Sequence, residues 1–240
     1  MTSPPSQRTW TICGDETGRV WRYHPRLDRL PSANGARWRC YADDGSSGVL
    51  HRCEIGTHWD VELQVGRHTL KLTNEVERMR TAIALAREPA VRSCTTIRQL
   101  LDVHEAEPET NGEWTAPGVL AEIWEWAAFG LDDWLRRDDR EPGSSIVGEV
   151  AANVTRALEV LHGLGVAHCD VAPNNILLVD GTWKLGDLDS CTRFGEPTSR
   201  GPMVERKRYQ QPDRRVGPAP ARHEFDWWGL AQVLAKLRES

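Results

Sequence analysis

VAHCDVAPNNILLVDGTWKLGDLDS, residues Val166 to Ser190, sets Asp170 five positions before Asn175 and a further aspartate, Asp187, beyond a short apolar segment. Between the last two lie Ile176-Leu177-Leu178-Val179, the pair Asp180-Gly181, and Trp183-Lys184-Leu185. Two apolar runs around Asp-Gly predict a β-hairpin, because the tight turns that match strand twist need positive φ, which Asp and Gly tolerate. Such a hairpin brings Asn175 and Asp187 side by side at its open end. Asp and Asn are ordinary turn formers, and any one of the three alone would be read as a loop cap or a strand end. All three in this order, behind an amphipathic helix, point to a site built from hard oxygen donors.

Oxygen donors of this kind suit magnesium, which keeps its waters and leans on one or two side chains plus substrate phosphates. In that reading Asp170 accepts the proton of an attacking hydroxyl, Asn175 holds one magnesium ion, and Asp187 holds the ion bridging the terminal phosphates of ATP. The residues resemble the protein-kinase superfamily. His168-Cys169-Asp170 is similar to its His-Arg-Asp catalytic loop, Asn175 to the asparagine of that loop, and Asp187-Leu188-Asp189 to its Asp-Phe-Gly metal motif. Farther on, Tyr209-Gln210-Gln211-Pro212-Asp213 resembles the Tyr-x-x-Pro-Glu end of an activation segment. Asp226-Trp227-Trp228-Gly229-Leu230 resembles the start of the long buried helix whose Asp supports the catalytic loop. Aminoglycoside-type phosphotransferases share the His-x-Asp-x-x-x-x-Asn element but not this later pair. The resemblance implies an α+β, bilobal fold: a β-rich N-lobe with one helix over about residues 10–126, and a short, mostly helical C-lobe over about 127–240, together one domain. It also implies ATP and Mg2+ as cofactors and transfer of the γ-phosphate to a hydroxyl.

Upstream of the loop, Ile146, Val150, Val154, Ala157, Leu158 and Leu161 recur at helical spacing, and Gly163 and Gly165 end the run. Val119 to Ala127 is apolar and short enough for a strand. By resemblance it is the strand and hinge between lobes, with Trp124 screening the back of the pocket and the backbone of Glu125 to Ala127 facing adenine. An ordinary core strand explains it equally well. Phe129 to Arg137 is expected to start the first helix of the C-lobe.

In the N-terminal half, Val61 to Val65, Gly66-Arg67 and His68 to Leu72 read as strand, turn, strand, and Lys71 falls where the phosphate-pairing lysine of a kinase stands. Only Lys184, Lys207 and Lys236 accompany it among lysines. Asn74 to Glu77 reads as a helix start, with Asn74 as cap and Glu77 reaching back to it, and with Val76, Met79, Ile83 and Ala86 facing a core. Glu77 is then either the partner of Lys71 or a solvated capping residue. No Gly-rich loop is recognisable: Ile55-Gly56 could open one, but Thr57-His58-Trp59-Asp60 supplies no further glycine.

Other departures bear on mechanism. Cys169 stands in place of an Arg that reads an activation-segment phosphate, which makes Thr198 and Ser199 poor switch candidates. Ala172 replaces a Lys that would steady the transferring phosphoryl group. Asp189 replaces a Gly and either stiffens the metal motif or adds a ligand. Arg193, Arg200, Arg206 and Arg208 are available for an anionic substrate or form a solvated basic loop.

At 240 residues the chain has room for a sizeable core, and its net charge of -5 argues against non-specific nucleic-acid binding. No apolar run reaches membrane-spanning length, and MTSPPSQRTW lacks the apolar core of a signal peptide, so a cytoplasmic location is expected. Six cysteines without a C-x-x-C pair indicate neither a zinc site nor a disulfide framework. Residues Trp10 to His51 read as extra strands, with Trp21, Tyr23, Trp38 and Tyr41 at strand-like spacing and turns at 32–35 and 43–48, or as a partner-binding surface anchored by those aromatics. Three functions stay open: a divergent Ser/Thr-type protein kinase, a pseudokinase binding nucleotide or a protein partner, and a kinase-like enzyme acting on a small molecule or peptide.

Overall fold

The computed structural model describes residues 9–30, 36–55, 67–111, 114–116, 118–137, 144–198, 208–212 and 219–239. The chain divides into two units. Unit 1 comprises Met1–Ile83 and Gln99–Trp126, and unit 2 comprises Ala84–Arg98 and Ala127–Ser240. No helix among the described residues is long and apolar enough to cross a membrane.

Unit 1 is a curled antiparallel sheet carrying one helix. Strands β1 (Trp10–Cys13), β2 (Val20–Tyr23), β3 (Ala36–Ala42), β4 (Ser47–Ile55), β5 (Leu100–Ala106) and β8 (Gly118–Glu125) form one sheet in the order β1-β2-β3-β4-β8-β5. A small hairpin of β6 (Glu109–Asn111) and β7 (Trp114–Ala116) links β5 to β8. Alternation decides which side chains go where. Ile12, Trp21, Tyr23, Cys40, Ala42, Leu50, Ala121 and Ile123 line one face as a continuous core. On the other face Cys53, Val103 and Leu120 pack against Val76, Met79 and Ile83 of helix α1 (Arg67–Arg87).

The curl closes the sheet. The turn after β1 docks on β5, the strand at the far edge: the Asp15 N–H donates to the Val103 carbonyl at 2.7 Å, and the Glu105 N–H donates to Asp15 Oδ2 at 2.8 Å. Beneath this seam Asp102, fully buried, accepts hydrogen bonds from the Trp21 indole at 3.0 Å, the Glu16 N–H at 3.3 Å and the Thr17 hydroxyl. Gly14 is obligatory here, because a methyl group at its Cβ position would land on the Asp102 carboxylate.

The expected strands of the N-terminal region are present, and Trp21 and Tyr23 are 0% and 2% exposed, so these two anchors belong to the core rather than to a partner surface. Two expectations are corrected. Residues His68 to Leu72 are helical, which puts Lys71 on α1 and not on a strand. Their alternating leucines mimic a strand, but Leu72, Val76, Met79 and Ile83 keep helical spacing, and the helix absorbs the segment. With the helix starting at Arg67, Asn74 is no cap, and Glu77 is exposed and pairs with Arg80 at 3.5 Å, while the Lys71 side chain lies outside what the structure describes. The strand Val61 to Val65 and the segment Gly56 to Asp60 lie outside the described residues.

Unit 2 contains the short helix α2 (Pro89–Arg92), strand β9 (Phe129–Gly130), helices α3 (Leu131–Leu135) and α4 (Ser144–Gly163), strands β10 (Val166–Ala167), β11 (Ile176–Val179), β12 (Thr182–Leu185) and β13 (Thr192–Arg193), and helix α5 (Glu224–Glu239). Helix α4 buries the expected stripe of Val150, Val154, Ala157, Leu158 and Leu161, and Gly165 turns the chain at φ 72°. Phe129 and Gly130 pair with β11, so the helix read as starting at Phe129 begins at Leu131. Helix α5 presents Phe225, Gly229, Leu230, Val233 and Leu237 to the core on one stripe, together with the buried Asp226.

Candidate active site

The β11–β12 hairpin forms as its sequence demands. Asp180 and Gly181 take φ of 46° and 77°, and the ladder runs from Val179↔Thr182 to Ile176↔Leu185. At the open end the Gly186 N–H donates to the Asn175 carbonyl at 2.8 Å, which places Asp187 next in line. Asp187 adopts a left-handed backbone, φ 63° and ψ 65°, and starts a 3-10 turn over Leu188–Ser190. Gly186 is hemmed in, since a Cβ there would stand 3.0 Å from Leu177 and 3.3 Å from Arg98.

The loop that presents Asp170 is held from below by one carboxylate. Asp226 is fully buried, and it accepts the backbone N–H of His168 and of Cys169, each at 2.8 Å, and faces His162 Nε2 at 2.8 Å. These bonds hold Cys169 at φ 65°, a conformation that a side chain with Cβ adopts only under constraint. His168 is buried and its two ring nitrogens have different partners: Nδ1 accepts the Asp170 N–H at 3.3 Å, and Nε2 faces the Gly186 carbonyl at 3.0 Å. A carbonyl can only accept, so Nε2 carries the proton, and the ring ties the loop to the residue before Asp187.

Asn175 closes the arrangement. Pro173–Asn175 forms a 3-10 turn, and the Asn175 Nδ2 donates to the Asp170 carbonyl at 2.8 Å and to Asp170 Oδ2 at 2.9 Å. Both partners are acceptors, which fixes the amide orientation and turns Oδ1 the other way, where it meets Asn174 Nδ2. Asn175 Oδ1 and the carboxylates of Asp170 and Asp187 are hard oxygens, the donor chemistry that Mg2+ takes. Deep beside it sits Cys191, whose thiol is pushed well above its usual range by burial, with Asp226, Cys169, Asp189 and Asp187 adding to the effect. It is a packing group, not a nucleophile.

A family model described as the protein kinase domain matches residues 97–240, more than half of the chain. The chain belongs to the protein kinase family. It has that family's bilobal, kinase-like α+β fold. Similar curated proteins include the serine/threonine-protein kinase pak-1 of Caenorhabditis elegans, 32% identical over 131 residues that cover 50% of this chain and 22% of the relative. The mitogen-activated protein kinase kinase mkk2 of Aspergillus fumigatus is 29% identical over 127 residues, 51% of this chain and 25% of the relative. The mitogen-activated protein kinase kinase kinase 17 of Arabidopsis thaliana is 23% identical over 117 residues, 48% and 31% respectively. These matches span a third or less of each relative's length.

In this kinase the loop residues Asp170 and Asn175 are in direct contact, and the hairpin orders Asp187 behind them. Lys71 belongs to helix α1 and not to a strand. Of the hinge residues, Trp124 is buried on β8, and the Glu125 N–H is already taken by the Gln99 carbonyl at 3.0 Å, while Glu125 Oε2 accepts the Gln99 N–H at 2.9 Å. Thr198 is 3% exposed and hydrogen-bonded through its backbone to Ala219 at 2.9 Å, which agrees with its being a poor switch. Ser199, Arg200, Arg206 and Asp213 lie outside the described residues.

Two supporting residues escaped sequence reading. His162 looks like a polar end to α4 and reveals its role only through Asp226. Gly229 looks like a flaw in a helix, yet it is where α5 touches the loop: a Cβ there would stand 2.7 Å from the Val171 carbonyl and 2.9 Å from Val171 Cβ. Gly229→Ala is expected to destabilise unit 2 by about 1–3 kcal/mol through overpacking, despite the higher helix propensity of Ala. A denaturant midpoint no lower than wild type would contradict this contact.

Proposed function

We propose that the chain transfers the γ-phosphate of Mg-ATP to a hydroxyl, most simply on a protein or peptide, as a divergent Ser/Thr-type kinase. The observation that carries the reading is the Asn175 amide bridging the carbonyl and Oδ2 of Asp170, with its Oδ1 turned away as a hard donor. When bound, Mg2+ neutralises the phosphate charge that grows in transfer. Asn175 and Asp187 would hold it. Asp170, fixed through its own N–H by His168 and through Oδ2 by Asn175, takes the proton of the attacking hydroxyl. The names of pak-1 and mkk2 support a protein acceptor.

A pseudokinase is the second reading, and one observation favours it: the lysine assigned to the phosphates lies on helix α1. Two measurements separate the readings. Calorimetry is expected to show ATP binding that needs magnesium and weakens at least tenfold in Asp187→Asn, and Asp170→Ala is expected to abolish label transfer while nucleotide still binds. Magnesium-indifferent binding, or a biological activity untouched by Asp170→Ala, would rule out phosphoryl transfer.

A further inference from the structure

Across β3, β4 and β8 the register sets side chains in rows on one face of the unit 1 sheet. One row holds Arg37, His51 and Glu122, and His51 Nδ1 meets Glu122 Oε1 at 3.0 Å in a buried pair. The next row is Arg39, Val49 and Trp124. In the last, Tyr41 stands opposite Ser47, and Trp126 follows the final β4–β8 pair, Gly48 with Glu125. Ser47 is therefore the small residue between two rings, and it leaves a slot for the side chain of Arg39 from the row behind. The Arg39 guanidinium carbon lies 4.1 Å from the centre of the Trp126 ring and 5.1 Å from that of Tyr41. Its buried Nε has no hydrogen-bond partner among the described residues, so the π faces of the two rings are what hold this cation.

Trp126 needs such a hold. Strand β8 ends at Glu125, whose N–H is bonded to the Gln99 carbonyl, and the next backbone N–H to be bonded is that of Ala128, to the Leu178 carbonyl at 2.8 Å. Between them the N–H and C=O groups of Trp126 and Ala127 make no hydrogen bond among the described residues, and both residues are half-buried. The Trp126 side chain, gripped by Arg39, ties this stretch to the sheet. A flat stack of ring and guanidinium beside an open backbone donor and acceptor suits a nucleobase, whose faces stack and whose edges hydrogen-bond.

We propose that Arg39 is a positioning residue for the base of the bound nucleotide: by clamping Trp126 from β3, it sets the backbone of Trp126 and Ala127 where a purine edge can meet it. The proposal rests on the nucleotide-binding reading above and names the residue that governs base affinity.

Calorimetry on the full chain tests it with three probes: Mg-ATP, adenosine, and magnesium tripolyphosphate, which carries phosphates and no base. Arg39→Ala is expected to weaken Mg-ATP and adenosine by one common factor, roughly 3- to 30-fold, the range of a cation–π contact, and to leave tripolyphosphate unchanged. Arg39→Lys keeps the charge without the plane and should recover only part of the loss. Trp126→Ala should cost a similar factor, and combining it with Arg39→Ala should cost no more than the larger single loss, because the two side chains act as one unit. Equal adenosine binding by wild type and Arg39→Ala, losses that multiply in the double variant, or an equal loss of tripolyphosphate overturns the role of Arg39. Failure of wild type to bind either Mg-ATP or adenosine overturns the nucleotide reading itself. Should the variants misfold, the wild-type Trp126 indole N–H resonance decides: a shift with adenosine and not with tripolyphosphate supports the proposal, and a signal that responds to adenosine no more than to tripolyphosphate at saturation sinks it.

Discussion

Asp226→Ala is expected to cost about 3–5 kcal/mol of stability, the penalty typical of removing one member of a buried, hydrogen-bonded charged group. The side chain is fully buried and satisfies two backbone N–H groups and one imidazole at once, so its loss leaves three buried donors in an apolar setting. Those two N–H groups belong to His168 and Cys169, and Cys169 holds φ 65° only while they are held. The loop then relaxes, and Asp170, next in the chain, loses its place. Label transfer should fall with stability, whereas Asp226→Asn, which keeps one acceptor and the volume, should cost less of both. A chemical-denaturation midpoint for Asp226→Ala within error of wild type would show that the loop is not held this way.

The second large effect belongs to unit 1. Asp102→Ala is expected to destabilise it by about 2–4 kcal/mol, since the Trp21 indole, the Thr17 hydroxyl and the Glu16 N–H all lose a buried acceptor together. Gly14→Ala attacks the same seam from the other side by crowding that carboxylate. Both variants should release the turn after β1 from β5, so amide exchange at Asp15 and Glu105 should quicken well before the rest of the sheet. Uniform acceleration across all six strands would mean that the seam is not a separate joint.

What the sequence shows of this kinase depends on how local the cause is. The β11–β12 hairpin is legible because Asp180-Gly181 dictates its own turn, and α4 because Val150 to Leu161 keep a 3.6-residue period over several turns. The site residues at the loop are legible because they sit within a few positions of that hairpin. Lys71 is misplaced because a five-residue alternation of leucines satisfies the strand pattern, while the helix that claims it is identified by apolar residues farther on. The groups that sequence alone conceals act across long separations. Asp102, amid the run Leu-Leu-Asp-Val-His-Glu-Ala, looks like a solvated strand residue until the turn at Gly14 covers it. The partners His51 and Glu122 lie 71 positions apart, and no local pattern links them. Asp226 is read by its resemblance, but the histidine it holds is not.

The seam at Asp102 also has a kinetic meaning. Trp21, which has no exposed surface in the native state, donates its buried hydrogen bond to a residue 81 positions later, and the strand between β4 and β5 in the sheet is β8, made later still. As synthesis proceeds from the N-terminus, the first hairpin must wait through the whole of α1 before its ring has anywhere to go. Closing so long a loop is slow, because its entropy is spent before any contact repays it. During that interval an indole and the edges of β1 and β2 are open to other chains. The nascent chain is thus most prone to aggregate before residue 102 arrives, and a chaperone that shields Trp21 would act on yield without touching the stability of the finished kinase.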